Sequence, residues 1–348
     1  MLSFLQFFFQ GCLPLGEKVD EAVSSSYNYG LMDKSKIYYS TPWFGGTPKE
    51  LQNVDMASFR VLSDKWAKDK NVAYHGAERY TSVDAPSFTV SKTDSVSGTE
   101  LIKDKNHVYY IDVNNRELLT ILEYADPNTF VCIDFCNANR WAKDKNHVFC
   151  NWKIFDADAA TFELINDSFA KDKDYLYAGY LEKIQKISVN TNQLVKISSL
   201  YVRTETDVYY CNEKFASFSV SDTVGIQTVF GFKWLKADGR LFFEGEPYYD
   251  TSIDVGSLEY MTDGYLKDKS RAYFGYMYKD VLTPIRGADI ESFKPLGEHS
   301  HYAKDKSRIY YEGEVVEGAN PQTFYYDRDK DYAYDGKKVY RDGKLVDK

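Results

Sequence analysis

The sequence predicts a mainly β protein made of tandem β-hairpin repeats with short capped helical turns, arranged as a solenoid or propeller-like array. Three observations predict it. First, the string Lys-Asp-Lys followed by Asn, Ser or Asp stands at 68–71, 103–106, 143–146, 171–174, 267–270 and 304–307. Shorter copies lie at 33–35 and 329–331, and decayed ones centre on Thr204 and Ala237. The ten copies recur at a mean spacing of about 33 residues. Second, the fifth residue after each Asp position is aromatic: Tyr38, Tyr74, Tyr109, Phe149, Tyr177, Tyr209, Phe242, Tyr273, Tyr310 and Tyr334. Third, Asp or Asn followed four residues later by Phe recurs at 55–59, 126–130, 158–162, 289–293 and 320–324.

Each element has a local reason. Asp can accept hydrogen bonds from the backbone that follows it, and Asn, Ser and Asp tolerate turn geometry, so Asp-Lys-Asn reads as a hairpin turn. The flanks, such as Trp66-Ala67-Lys68 and Val108-Tyr109-Tyr110, are rich in residues that suit strands. Asp or Asn at an N-cap, with Pro next at 127 and 321, reads as one helical turn whose Phe returns to the core. A single unit of this length cannot bury its row of aromatics, so neighbours must stack. The repeat region is expected over 27–348, with two halves dividing near 200–240 where the copies decay.

Composition bounds the function. The chain has 348 residues, with 43 Lys and Arg against 52 Asp and Glu, a net charge of −9. That balance argues against nucleic acid as a partner, which would need basic surface. Thirty Tyr and 22 Phe are the anomaly. The repeat-register aromatics are expected in the core. Strand alternation turns the next residue the other way, so Tyr39, Tyr110, Tyr210 and Tyr311 are the candidate partner-binding surface.

Residues 1–26 read as an apolar segment, MLSFLQFFFQGC, followed by a polar tether. The run is too short to span a membrane. An apolar run, a small residue, Cys and a polar stretch fit a truncated lipoprotein signal, with Cys12 as the lipidation candidate. Missing positive charges ahead of it fit less well, and a strand packed on the core is the competing reading. Cys132, Cys136, Cys150 and Cys211 are an even set that permits two disulfides in an oxidising compartment; buried thiols are the alternative.

No residue pattern singles out a reaction. His107 and His147 share one freely varying repeat slot and read as structural. His299 and His301 would need to lie on one strand face to ligate a metal. Asp327, Asp329 and Asp331 open like a calcium loop, but Tyr332 stands where such a loop needs Gly and Lys338 where it needs Glu. No enzyme activity, cofactor or metal is expected. The Lys-Asp-Lys strings read as solvated turn tips, or alternatively as a charged rim that a partner contacts.

The recurrent string at 103–110, Lys-Asp-Lys-Asn-His-Val-Tyr-Tyr, resembles the DKNYY repeat family of bacterial proteins. The resemblance covers about 27–348. It implies an exported or lipid-anchored bacterial protein with no catalytic residues to carry over. Some proteins of this type resemble immunity partners of secreted antibacterial toxins. The expectation is therefore an immunity protein of the periplasm or cell envelope that binds a toxin, with a structural or adhesive envelope protein as the alternative reading and the cytoplasm as the alternative location.

Overall fold

The computed structural model describes residues 15–40, 47–92, 100–112, 118–134, 141–179, 183–212, 214–221, 223 and 225–346. These form ten four-stranded antiparallel sheets in tandem, each a meander whose strands pair in chain order. We number the sheets as repeats 1 to 10: 15–50, 60–80, 89–121, 131–155, 163–188, 195–219, 227–248, 259–284, 294–315 and 324–345. The mainly β tandem-repeat reading is therefore the observed fold. Among the described residues the one helical element is the short 3₁₀ turn Thr191–Gln193. Two compact units, 1–162 and 163–348, divide the chain between Phe162 and Glu163, not near 200–240. Repeats 1–4 belong to the first and repeats 5–10 to the second.

Repeat 2 gives the grammar. Its strands are Arg60–Val61, Trp66–Lys68, Ala73–His75 and Glu78–Tyr80. Ala67 faces Tyr74 across the central hairpin, and Trp66 faces His75. The Asp at its tip does more than close a turn. Asp69 is 1% exposed. One carboxylate oxygen accepts the backbone N–H of Asn71 and Val72 at 2.7 and 2.9 Å. The other accepts the Tyr74 hydroxyl and the N–H of Asp55, both at 2.9 Å. Asp55 begins the capped turn before the sheet, so one carboxylate joins three segments of chain. A buried carboxylate survives only with such a full set of donors.

The two signature lysines serve successive junctions. Lys68 reaches forward and donates to Pro86 O and Phe88 O at 3.0 and 2.8 Å, closing the turn that leads into repeat 3. Lys70 reaches back to the Asp55 carboxylate at 2.8 Å. Its counterparts pair likewise: Lys105 with Asp84, Lys145 with Asp126, Lys269 with Asp254 and Lys306 with Asp289. The lysine tips are solvated, but they are also committed to the fold, which speaks against a free charged rim.

The core lies between sheets. In the first unit three clusters fill the three gaps, for example Tyr27, Ile37 and Phe59 of one side against Ala67 and Tyr74 of the next. In the second unit five clusters do so. Each inner sheet therefore buries both faces.

Three sequence expectations need correction. Residues 15–26 are not wholly a tether, because Leu15–Lys18 is the first strand of repeat 1 and pairs with Tyr27–Gly30. In repeat 1 the position of the turn Asp is held by Gly30, whose N–H donates to Lys36 O; Asp33 sits within a longer loop. In repeat 10 the position belongs to Asp335, not Asp329. There Asp335 faces Lys338, and Tyr340, five residues on, takes the core place given to Tyr334. The last copy slipped because Asp327-Arg-Asp-Lys imitates the signature in the loop one hairpin earlier.

Candidate functional site

The four candidate tyrosines do point away from their register neighbours, but the opposite face is not solvent. It packs on the outer hairpin of the following repeat. Tyr39 lies on Tyr27 at 5.2 Å between ring centroids. Tyr210 is 1% exposed and packs on Tyr201 at 4.9 Å, which removes it as a contact residue. Tyr311 packs on Tyr302 at 4.8 Å, and its hydroxyl donates to Asp342 in repeat 10. The turn glycines Gly76, Gly245 and Gly343 of the following repeats come up against these three residues, which are therefore parts of the joints between repeats.

Tyr110 differs. Its ring stacks on Trp152 of repeat 4 at 5.5 Å with the planes 9° apart. Trp152 occupies the second position of a two-residue turn, Asn151-Trp152, with φ of 48° and 64°. The same place holds Gly245, Gly313 and Gly343 in repeats 7, 9 and 10. A Cβ there would meet the aromatic of the preceding repeat: Tyr210, Phe274 or Tyr311, at 2.8–2.9 Å. Repeat 4 instead carries the largest side chain in a left-handed conformation that costs on the order of 1 kcal/mol or more. At this pair the joint between repeats 3 and 4 carries a shallow groove of about 370 Å³. Ile121, Glu123, Tyr124, Lys153 and Ile154 complete its walls, and Tyr124 is 73% exposed.

The second unit has its own exposed aromatic surface. Phe232, before the second strand of repeat 7, meets Tyr278 of repeat 8 edge-on at 6.0 Å. Tyr278 is 62% exposed, with Lys233 Nζ 5.8 Å from its ring centroid. Tyr276 beside it is also exposed, and its hydroxyl donates to Glu312 at 2.6 Å. Sequence reasoning missed Phe232, Tyr276, Tyr278, Tyr124 and Trp152 because they stand in turns, outside the repeat register. The one available signal was Trp152 in a hairpin loop where other copies have Gly.

The remaining candidates are structural. Burial pushes the Cys132, Cys150 and Cys211 thiols up to about 12, 11 and 11. Cys136 and the lipidation candidate Cys12 lie outside the described residues. His299 and His301 are not on a strand; both have positive φ in the loop before Tyr302–Lys304. The His299 and Ser300 N–H groups donate to the Asp263 carboxylate at 2.7 and 3.0 Å. Asp327 pairs with Lys330, and Asp331 accepts the Tyr326 hydroxyl. Among the described residues no group of three or more His, Cys, Asp and Glu is placed to hold a metal ion. No helix among them is long and apolar enough to cross a membrane.

The model of the DKNYY family matches residues 17–113, 75–214, 113–246 and 265–348. The overlapping matches follow the tandem sheets and cover most of the chain, which therefore belongs to that family. No curated protein matches it.

Proposed function

We propose that this DKNYY-family protein is a non-catalytic binding protein that captures one protein partner. The observation that carries the reading is the stacked Tyr110–Trp152 pair at the mouth of an open groove. The strained aromatic that stands in place of a turn glycine packs on the core and also forms part of the groove wall. Tyr and Trp are the residues enriched among binding anchors, since they bring large contact area with few rotors. Sheets buried on both faces supply a stiff support for them.

The finer reading is an immunity protein that neutralises a secreted antibacterial toxin by covering its active site or its membrane-engaging surface. It rests on the family resemblance. On this reading the chain works in the periplasm or cell envelope, and Cys12 is the candidate anchor. A cell-envelope structural or adhesive protein is the second reading, since a regular array also suits that role.

The test is affinity capture with the full chain in its own cells, followed by identification of bound proteins and a toxicity assay with each. One stoichiometric partner, neutralised by the chain and lost with W152G plus Tyr124→Ala, supports the immunity reading. Broad, weak binding that survives those changes and the loss of whole repeats supports the envelope role.

A further inference from the structure

The cations of the repeat signature are committed to the fold, but Arg271 and Arg286 in the second unit are not. Arg271 and Arg308 hold the same slot, three residues after the turn Asp, in repeats 8 and 9. In repeats 7, 9 and 10 that slot is engaged: Arg240 pairs with Asp238 and donates to Ser219 O, Lys338 donates to Gly318 O, and Arg308 donates to Gly287 O. Arg286 follows the fourth strand of repeat 8. Arg271 and Arg286 line a concavity of about 290 Å³ with Ser270, Pro284, Ile285 and Gly287. Arg308 flanks it, its Nη1 donating to Gly287 O at 3.2 Å. A Cβ at position 287 would sit 2.6 Å from that nitrogen, so the guanidinium packs close against the glycine.

Among the described residues none of the three arginines has a carboxylate within ion-pair distance. The acids of the neighbouring turns are engaged elsewhere. Asp289 holds Lys306 at 2.6 Å, and Asp254 holds Lys269 at 2.6 Å. Asp268 and Asp305 are buried and turned toward backbone donors and tyrosine hydroxyls. Unpaired guanidinium groups around a concavity stand out in a protein with a net charge of −9. Distant acids are screened beyond about 8 Å at physiological salt, so the local sign governs what binds.

The geometry points to an oxyanion-binding site at this concavity, taking a carboxylate or a phosphate group between Arg271 and Arg286. Guanidinium is suited to this, because its planar fork matches both groups with two hydrogen bonds at once. Pro284 and Ile285 form one side of the concavity. This site is separate from the aromatic groove and does not depend on the protein-capture reading.

The test is calorimetric titration of the full chain with inorganic phosphate and, separately, with a hexaglutamate peptide. At least one probe should bind, and R271Q/R286Q should weaken that binding by about tenfold or more. The control K269Q/K306Q removes the same charge from paired lysines of repeats 8 and 9 and should change affinity less than about twofold. Phosphate alone binding assigns the site to phosphate; a peptide that phosphate displaces assigns it to carboxylate as well. R286Q alone serves if the double variant unfolds before its binding can be read. Silence with both probes overturns the site, as does equal weakening in both double variants, which would mean only a response to net charge.

Discussion

Repeats 8 and 9 carry the complete junction, whereas repeats 6 and 7, in the same unit, each carry half of it. In repeat 9 Asp305 accepts from Ser307 N, Arg308 N, Asp289 N and the Tyr310 hydroxyl. In repeat 6 Thr204 replaces the Asp. Its hydroxyl takes the N–H of Thr206 and Asp207 at 3.4 and 3.0 Å, which preserves the turn alone. In repeat 7 Ala237 stands at that position, and Asp238 one residue later takes the N–H of Ser221 at 2.7 Å, preserving the link backwards. Phe242 replaces the tyrosine there and stacks on Phe218 at 3.8 Å. The two jobs of one carboxylate are thus separable, and a phenyl stack can stand where a hydroxyl was anchored.

This contrast can be broken most severely at the carboxylate itself. Asp305→Ala leaves a buried hydroxyl and several N–H groups without their acceptor and should cost about 3–4 kcal/mol. Thr204→Ala should cost about 1 kcal/mol, since only weak neutral bonds are lost. Denaturant unfolding of the two variants checks the ratio; equal losses would mean the junction contributes nothing beyond its turn.

Acid should separate the repeats next. Burial opposes ionisation of Asp305, but donors from Asp289, Tyr310, Ser307 and Arg308 outweigh it and hold the carboxyl at about 2, against an ordinary 3.8. A carboxyl lowered in the folded state stabilises above its unfolded value and loses that effect as pH falls through the folded one. Repeat 9 should therefore lose amide protection between about pH 4 and pH 2. Hydrogen exchange at Ser307 and Arg308, compared with Thr206 and Asp207, reads this directly. Asp305→Asn should flatten the pH response.

Tyr310→Phe removes one donor and leaves the carboxylate otherwise satisfied, at a cost of about 1 kcal/mol. The smallest effect should come from the groove. W152G relieves a left-handed tryptophan but gives up its packing on Tyr110, so thermal unfolding should move by only a few degrees. A large drop would mean that the tryptophan holds repeats 3 and 4 together and is not chiefly a contact residue.

Much of the fold was readable because it is written in a periodic signature. The strands around Trp66-Ala67-Lys68 and the tip at Asp69 follow from turn chemistry and alternation alone. What alternation could not show is what lies opposite. Alternation places Tyr210 at the surface only where a sheet has one wet face, whereas stacked sheets have none inside each unit. The burial of Asp69 was hidden for a related reason: an aspartate at a hairpin tip looks solvated until its donors from Asp55 and Tyr74 are in place. Trp152 and Tyr124 were invisible because the groove lies at a departure in one turn, and no period marks it.

The backward reach of each tip aspartate also sets a direction for assembly. Asp69 completes a turn that was made before it, and Lys68 waits for a turn still to come. All pairing within a sheet is between neighbours in the chain, so contacts are short-range and a sheet can form as soon as its residues emerge. A growing or translocating chain would then lock one repeat at a time from the N-terminal side, each newcomer finishing its predecessor. A chain cut just after a capped turn such as 289–293 would end on an open junction, so truncations should be tolerated only when they close after a tip.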